Sequence, residues 1–206
     1  LTGGTCPRPH TPSPRGVRRA RRATSPPPPS PAEVCPPPLA LPDAAVERTA
    51  FDTHTKRPPP LRAPADVEAL KKGLADGTVD ALCTDHAPHA PHEKAVEYTQ
   101  APFGILGLET AWGLIGRELI EPGVLSVEEA VQKLTAAPRR ILRLDAPRIE
   151  EGAPARLTVF DASTEWTFTE AHIRSKSENT PFVGRRMVGR PWAVYSDGHF
   201  VTPEAG

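Results

Sequence analysis

A run of four prolines, Pro26-Pro27-Pro28-Pro29, sets the firmest limit on what the first part of this chain can fold into. Proline fixes φ and lacks an N–H, so neither an uninterrupted helix nor a central strand can pass through it. The restriction is regional, because 17 of the 27 prolines fall in the first 64 of 206 residues. That stretch also carries Arg8, Arg15, Arg18, Arg19, Arg21 and Arg22, with Glu33 the single acid before residue 39. By composition it reads as a basic disordered arm, either a solvated linker or a ligand for polyanions or an SH3-like module. Over the whole chain, 25 basic and 25 acidic residues cancel, which gives no support to nucleic acid or an anionic membrane as the main partner. No apolar run approaches the roughly 18 residues of a membrane span. Residues 1–6 lack both an initiator Met and the apolar core of a signal peptide, which suggests a fragment. Cys6, Cys35 and Cys83 are odd in number and far apart, the pattern of reduced thiols in a cytoplasmic protein.

After Arg62 the texture becomes an alternation of helix and strand signals. Val67, Leu70 and Leu74 share one helical face and Gly77 closes it, so a short amphipathic helix is expected there. Residues 78–84 follow as a short strand running into Asp85-His86-Ala87-Pro88-His89. Helix, strand, then polar titratable groups at the strand's C-terminal end is the arrangement of an α/β barrel, whose active site gathers there. A second helix is expected over about 107–120, with Leu108, Trp112, Ile115 and Leu119 on one face. A third begins at Ser126, which forms a capping box with Glu129, and ends before Pro138. From Gly152 the period switches to two, in runs at 156–161, 166–169 and 192–196, with an Asp197-Gly198 turn before His199. The last 55 residues therefore read as a small β module.

The densest chemistry lies in Thr84-Asp85-His86-Ala87-Pro88-His89-Ala90-Pro91-His92-Glu93-Lys94. A carboxylate at a barrel strand end can bind metal or take a proton from a metal-bound water, since the sheet fixes its position while the loop beyond meets substrate. Nearby imidazoles can ligate metal or donate hydrogen bonds to a substrate carboxylate. One carboxylate and three histidines in a polar loop do not by themselves define a reaction.

This run resembles the T-D-x-A-P-H-x4-K signature of the class I dihydroorotases, in the amidohydrolase superfamily. Pro59-Pro60-Leu61-Arg62 is similar to the family's N-P-P-L-R, and residues 101–110 to its P-x-G-I-x-G-L-E-T. Residues 174–182 resemble S-K-x-x-N-T-P-F, and residues 150–157 the step that opens the superfamily's C-terminal β module. The resemblance covers about residues 32–202. It implies an α/β fold comprising the C-terminal portion of a TIM-type (β/α)8 metal-dependent hydrolase barrel plus a small β-sandwich module. On that reading residues 1–31 are a degraded, proline-rich barrel segment, 32–148 the barrel part and 149–206 the β module.

The resemblance also implies roles. Asp85 would be a zinc ligand and the base that takes a proton from the attacking hydroxide and returns it to the leaving amide nitrogen. His89 would contact the substrate carboxylate, and the backbone at Phe103-Gly104 the dihydropyrimidine ring. Counting back from Cys35, His10 falls where the family has a second zinc ligand. His86 and His92 match no functional position and read as solvated loop histidines. The family's H-x-H pair, its carboxylate-binding arginine and its bridging residue have no counterpart here; Pro58 stands for a substrate-binding asparagine and Pro37-Pro38 for a His-His pair. The chain matches from about the sixth strand region, so it is expected neither to hold two zincs tightly nor to turn over substrate by itself.

The implied reaction is reversible hydrolysis of dihydroorotate to N-carbamoyl-aspartate in pyrimidine biosynthesis, with two zinc ions. Alternatives are an allantoinase-like or dihydropyrimidinase-like cyclic amidohydrolase, and a non-catalytic subunit scaffolding aspartate carbamoyltransferase. A homo-oligomer is a further possible partner state, and the location is expected to be cytoplasmic.

Overall fold

A computed structural model describes residues 31–146 and 148–202. His10 and the proline-rich segment through residue 30 lie outside the described residues. The chain is mixed α/β. Strand β1 (Glu33–Val34) leads through short helices α1 (Pro37–Ala40) and α2 (Ala44–Arg48) to α3 (Pro64–Ala75) and then β2 (Ala81–Leu82). β1 and β2 pair in parallel, Glu33 opposite Ala81 and Val34 opposite Leu82, so this is a strand–helix–strand crossover unit.

Helix α3 forms where its face predicts. Pro64 occupies the first turn, where a missing N–H has no helical partner to lose, and Val67, Leu70 and Leu74 are buried. The strand expected over 78–84 is pared to two residues, because Asp85 turns the backbone to a left-handed φ of 48° immediately beyond it. Helix α4 (Pro91–Lys94) follows the polar loop. Helix α5 (Ala111–Ile115) starts four residues later than its apolar face suggests, then continues as a π-helical turn, Gly116–Ile120. The delay has a local cause: the amides of Gly107 and Leu108 are held by the ring of His86. Helix α6 (Val127–Leu134) has the expected cap, with Glu129 N donating to Ser126 Oγ and Ser126 N to Glu129 Oε2, and α7 (Ala136–Leu142) follows.

β3 (Arg156–Thr167), β4 (Arg186–Ser196) and β5 (His199–Val201) form one antiparallel sheet in that order. The two runs expected at 156–161 and 166–169 are one strand, broken by register shifts and by a turn in which Asp161 Oδ1 accepts from the amides of Ser163 and Thr164. Asp197 and Gly198, at φ of 49° and 82°, make the expected two-residue hairpin, whose twist requires positive φ at both positions.

One apolar cluster joins β1, α3, β2 and the α5 region through Val34, Leu70, Leu74, Leu82, Ile115 and Leu119. A second joins Leu41, Leu61, Ile105 and Leu114 to Phe168, Phe182 and Met187. This second core carries the antiparallel sheet against the helical part and holds the loops after β2 between them. No helix among the described residues is long and apolar enough to cross a membrane.

Candidate functional site

β2 ends at Leu82, and the next residues enter a loop whose geometry is set by backbone contacts. Ala87 N donates to Ile105 O, pairing His86 with Ile105 in a parallel bridge. Gly107 is required here, since a Cβ would lie 2.2 Å from the Thr84 carbonyl. Asp85 is thereby projected outward, with its side chain 53% exposed.

Its partner is Arg57, which lies just beyond the turn Thr53–Thr55. Arg57 Nη2 donates to Asp85 Oδ2 at 3.0 Å and to Cys35 Sγ at 2.8 Å, and the Arg57 side chain is only 2% exposed. Nη1 of the same guanidinium is buried with no hydrogen-bond partner among the described residues. Cys35 Sγ also lies 3.8 Å from Asp85 Oδ2. A cluster of Glu33, Cys35, Arg57, Cys83 and Asp85 therefore gathers at the C-terminal ends of β1 and β2. The hydrogen bond with Cys83 holds the Cys35 thiol below its ordinary pKa, with Arg57 assisting, and that bond together with burial pushes Cys83 up. Burial, aided by the charge of Asp85, raises Glu33.

His89 lies in the same loop, with its ring turned to the chain rather than to open solvent. Nε2 is 2.9 Å from Phe103 O; a carbonyl only accepts, so Nε2 carries the proton. Gly104 packs directly on this ring, and a Cβ would lie 2.7 Å from Nε2 and 2.8 Å from the Ala87 Cβ. Gly104 N donates to Lys56 O and Gly104 O accepts from Asn179. His89, Phe103 and Gly104 are thus brought together, with the Phe103 carbonyl and both polar groups of the Gly104 backbone already hydrogen-bonded. Beside His89 an open cavity of about 300 Å³ is lined by Asp52, His54, Lys94, Glu178 and Asn179, among others.

Three site residues went without a role in the sequence reading. Asn179, 2% exposed, accepts from His89 N through Oδ1 and donates through Nδ2 to Ala87 O and Gly104 O. Lys94, also buried, donates to Thr53 O and Pro102 O; burial, then the charge of Lys56, lowers its pKa. The signal for both was present, since each lies inside a motif resembling the family's. His86 is a correction: it is no solvated loop histidine. Its Nδ1 accepts from the amides of Gly107 and Leu108, and Nε2 lies 3.4 Å from Ser175 Oγ. The Ser175 hydroxyl and amide in turn donate to Glu109. Burial alone would raise the Glu109 carboxyl, but the bonds from Ser175 and the neighbouring His86 hold it below its ordinary value. His92 is exposed.

Among the described residues no group of three or more His, Cys, Asp or Glu side chains is arranged to hold a metal ion. Asp85 faces a buried guanidinium, whose charge opposes a cation at the same oxygen. The described residues therefore do not fit a metal centre by themselves.

Comparison with known proteins agrees with this layout. A model of the amidohydrolase family matches residues 43–201. A dihydroorotase of Pelotomaculum thermopropionicum is 48% identical over 170 residues, 82% of this chain and 39% of that protein. One of Anaeromyxobacter dehalogenans is 43% identical over 205 residues, 99% of this chain and 47% of that protein. The chain thus spans less than half the length of these curated relatives. Among solved structures, an L-hydantoinase (dihydropyrimidinase) from Arthrobacter aurescens superposes with a TM-score of 0.84 at 25% identity, over 96% of this chain and 44% of that one. The fold is that of a TIM-barrel-type hydrolase, with β1 and β2 as neighbouring parallel strands. With a polar loop at the strand ends, four motifs in order and a family match over more than three quarters of its length, the chain belongs to the amidohydrolase family.

Proposed function

We propose that this chain supplies the Asp85 half of a dihydroorotase, which opens the cyclic amide of dihydroorotate to N-carbamoyl-aspartate and closes it again in pyrimidine biosynthesis. The observation that carries this reading is the Thr84-to-Lys94 run at the C-terminal end of β2, in a chain 48% identical to a relative named dihydroorotase. Asp85 is the base: fixed by a strand end and half open to solvent, it takes a proton from the attacking water and returns it to the departing amide nitrogen. His89 contacts the substrate carboxylate, and the Phe103-Gly104 backbone shapes the ring site. For His89 Nε2 to meet a carboxylate it must leave the Phe103 carbonyl, so binding substrate rearranges the loop at 103–104.

The family is generally metal-dependent, and two zinc ions, with His10 and Asp85 among their ligands, belong to the proposal. The remaining ligands come from sequence beyond this chain, as does the facing half of the barrel. The proposal extends to a barrel part over 32–148 and a β module over 149–206 that becomes a sandwich only with further strands. It also extends to a cytoplasmic location and to assembly as a homo-oligomer or with aspartate carbamoyltransferase.

A chimera tests the reading. Joining this chain to the N-terminal half of the Pelotomaculum relative is expected to yield N-carbamoyl-aspartate formation from dihydroorotate that the chain alone lacks. Asp85→Ala in the chimera should reduce it by about 100-fold or more. Turnover that survives Asp85→Ala removes Asp85 as base, and a chimera that opens hydantoin rings faster than dihydroorotate favours the dihydropyrimidinase-like alternative.

A further inference from the structure

Cys35 and Cys83 are 48 residues apart in sequence and lie on facing positions in space. The β1–β2 register pairs Glu33 with Ala81 and Val34 with Leu82, the last pair being closed by Cys83 N donating to Val34 O at 3.1 Å, so Cys35 and Cys83 are the residues that directly follow it on the two strands. Opposed residues on parallel strands project to the same face, with strands about 4.8 Å apart. That spacing falls inside the roughly 4.4–6.8 Å range of Cα separations that a disulfide bridges. Both thiols are reduced here, Cys35 buried and Cys83 half-buried, so an oxidant reaches the pair through Cys83.

We propose that Cys35 and Cys83 are a redox-active pair that closes to a disulfide under a hydroperoxide. The step balances as two thiols and one hydroperoxide giving one disulfide, one alcohol and one water. The S–S bond forms and the O–O bond breaks; each sulfur gives up one electron, and the two thiol protons leave on the two oxygens. Cys35 Sγ accepts from Arg57 Nη2, the same nitrogen that binds Asp85 Oδ2. Closing the bridge re-aims that sulfur, so oxidation alters the contacts of the buried Arg57 guanidinium that faces Asp85. The pair thus sits where its state is felt at the candidate site, and its formation does not depend on the activity proposed above.

The test uses the unmodified chain, whose three cysteines allow three intramolecular pairings. The folded chain is treated with hydrogen peroxide, free thiols are alkylated, and the products are mapped by peptide mass. A loss of two hydrogens located on a Cys35–Cys83 peptide, reversed by dithiothreitol and forming the large majority of cross-linked product, is expected. In urea, where the strands no longer align the sulfurs, the same treatment should spread product over all three pairings. Native product joining Cys6 to either partner, sulfinic acid at Cys83 with Cys35 still alkylatable, or the same pairing ratio in urea as in buffer would each overturn the proposal.

Discussion

The Asn179 amide is nearly inaccessible, yet it ties the His89 amide, the Ala87 carbonyl and the Gly104 carbonyl to one side chain. Asn179→Ala leaves these buried groups without partners, and we expect a loss on the order of 3 kcal/mol in urea unfolding. Asn179→Asp should be no milder. It keeps an acceptor for His89 N but sets a carboxylate oxygen against two carbonyls. A second residue-scale prediction concerns acid. Glu109 titrates below its ordinary 4.5 when folded, so around that pH the unfolded chain binds more protons. Its contribution is therefore fully present above about pH 4.5 and is lost as pH falls through the depressed folded value. Glu109→Gln should flatten the acid limb of a stability–pH curve, and an unchanged limb would show that the Ser175 bonds contribute nothing to it. Asn179 and Glu109 lie inside runs that resemble the family's motifs, but their partners lie 90 and 66 positions away and no local pattern encodes such distances. The pairing of Asp85 with Arg57 escaped for the same reason, being a contact between loops.

At the scale of elements, what the sequence made legible was what neighbours decide. The Ser126–Glu129 cap and the Asp197–Gly198 hairpin are short-range devices and formed as expected. Ser126→Ala should cost about 1 kcal/mol, the usual value of a lost helix cap. The helix expected over 107–120 turned Trp112, Ile115 and Leu119 inward, but Leu108 precedes it and is 62% exposed, and the form of its second half depends on β4. A Cβ on Gly116 would lie 1.9 Å from the Val188 carbonyl oxygen, and one on Gly113 2.8 Å from the Met187 Cβ. Backbone cannot yield as a flexible side chain does, so Gly116→Ala must move the π-helical turn away from β4. We expect about 3 kcal/mol of destabilisation, at the upper end for overpacking. Gly77→Ala is the comparison: nothing lies within 4 Å and only its φ of 78° opposes a side chain, which costs about 1–2 kcal/mol. Thermal midpoints of the two variants that fell together would show that helix and strand do not depend on close approach.

For the molecule as a whole, the hydrophobic period changes from helical to alternating at about Gly152, and the family resemblance set the boundary between a barrel part and a β module at residue 148. Period reports only which face of an element is apolar, and it is silent on what that face meets. In the folded chain the apolar face of the antiparallel sheet meets the helical part: Phe168, Phe182 and Met187, all fully buried, share one cluster with Leu41, Ile105 and Leu114. A shared core couples the stability of the two sides, since neither can expose its half without opening the other. Phe168 is the place to test this, for it packs edge-on against Trp166 and beside His172 as well as in the cluster. Phe168→Ala should cost about 3–5 kcal/mol, the range for truncating a buried aromatic. Helical circular dichroism reports mainly the part before residue 148, whereas fluorescence in a Trp112→Phe background, which removes the tryptophan of α5, reports the sheet through Trp166 and Trp192. Under a common core both signals move to lower denaturant by the same amount and remain superimposable. A variant in which the fluorescence transition shifts alone, leaving the helical signal at its original midpoint, would mean that the two sides unfold independently.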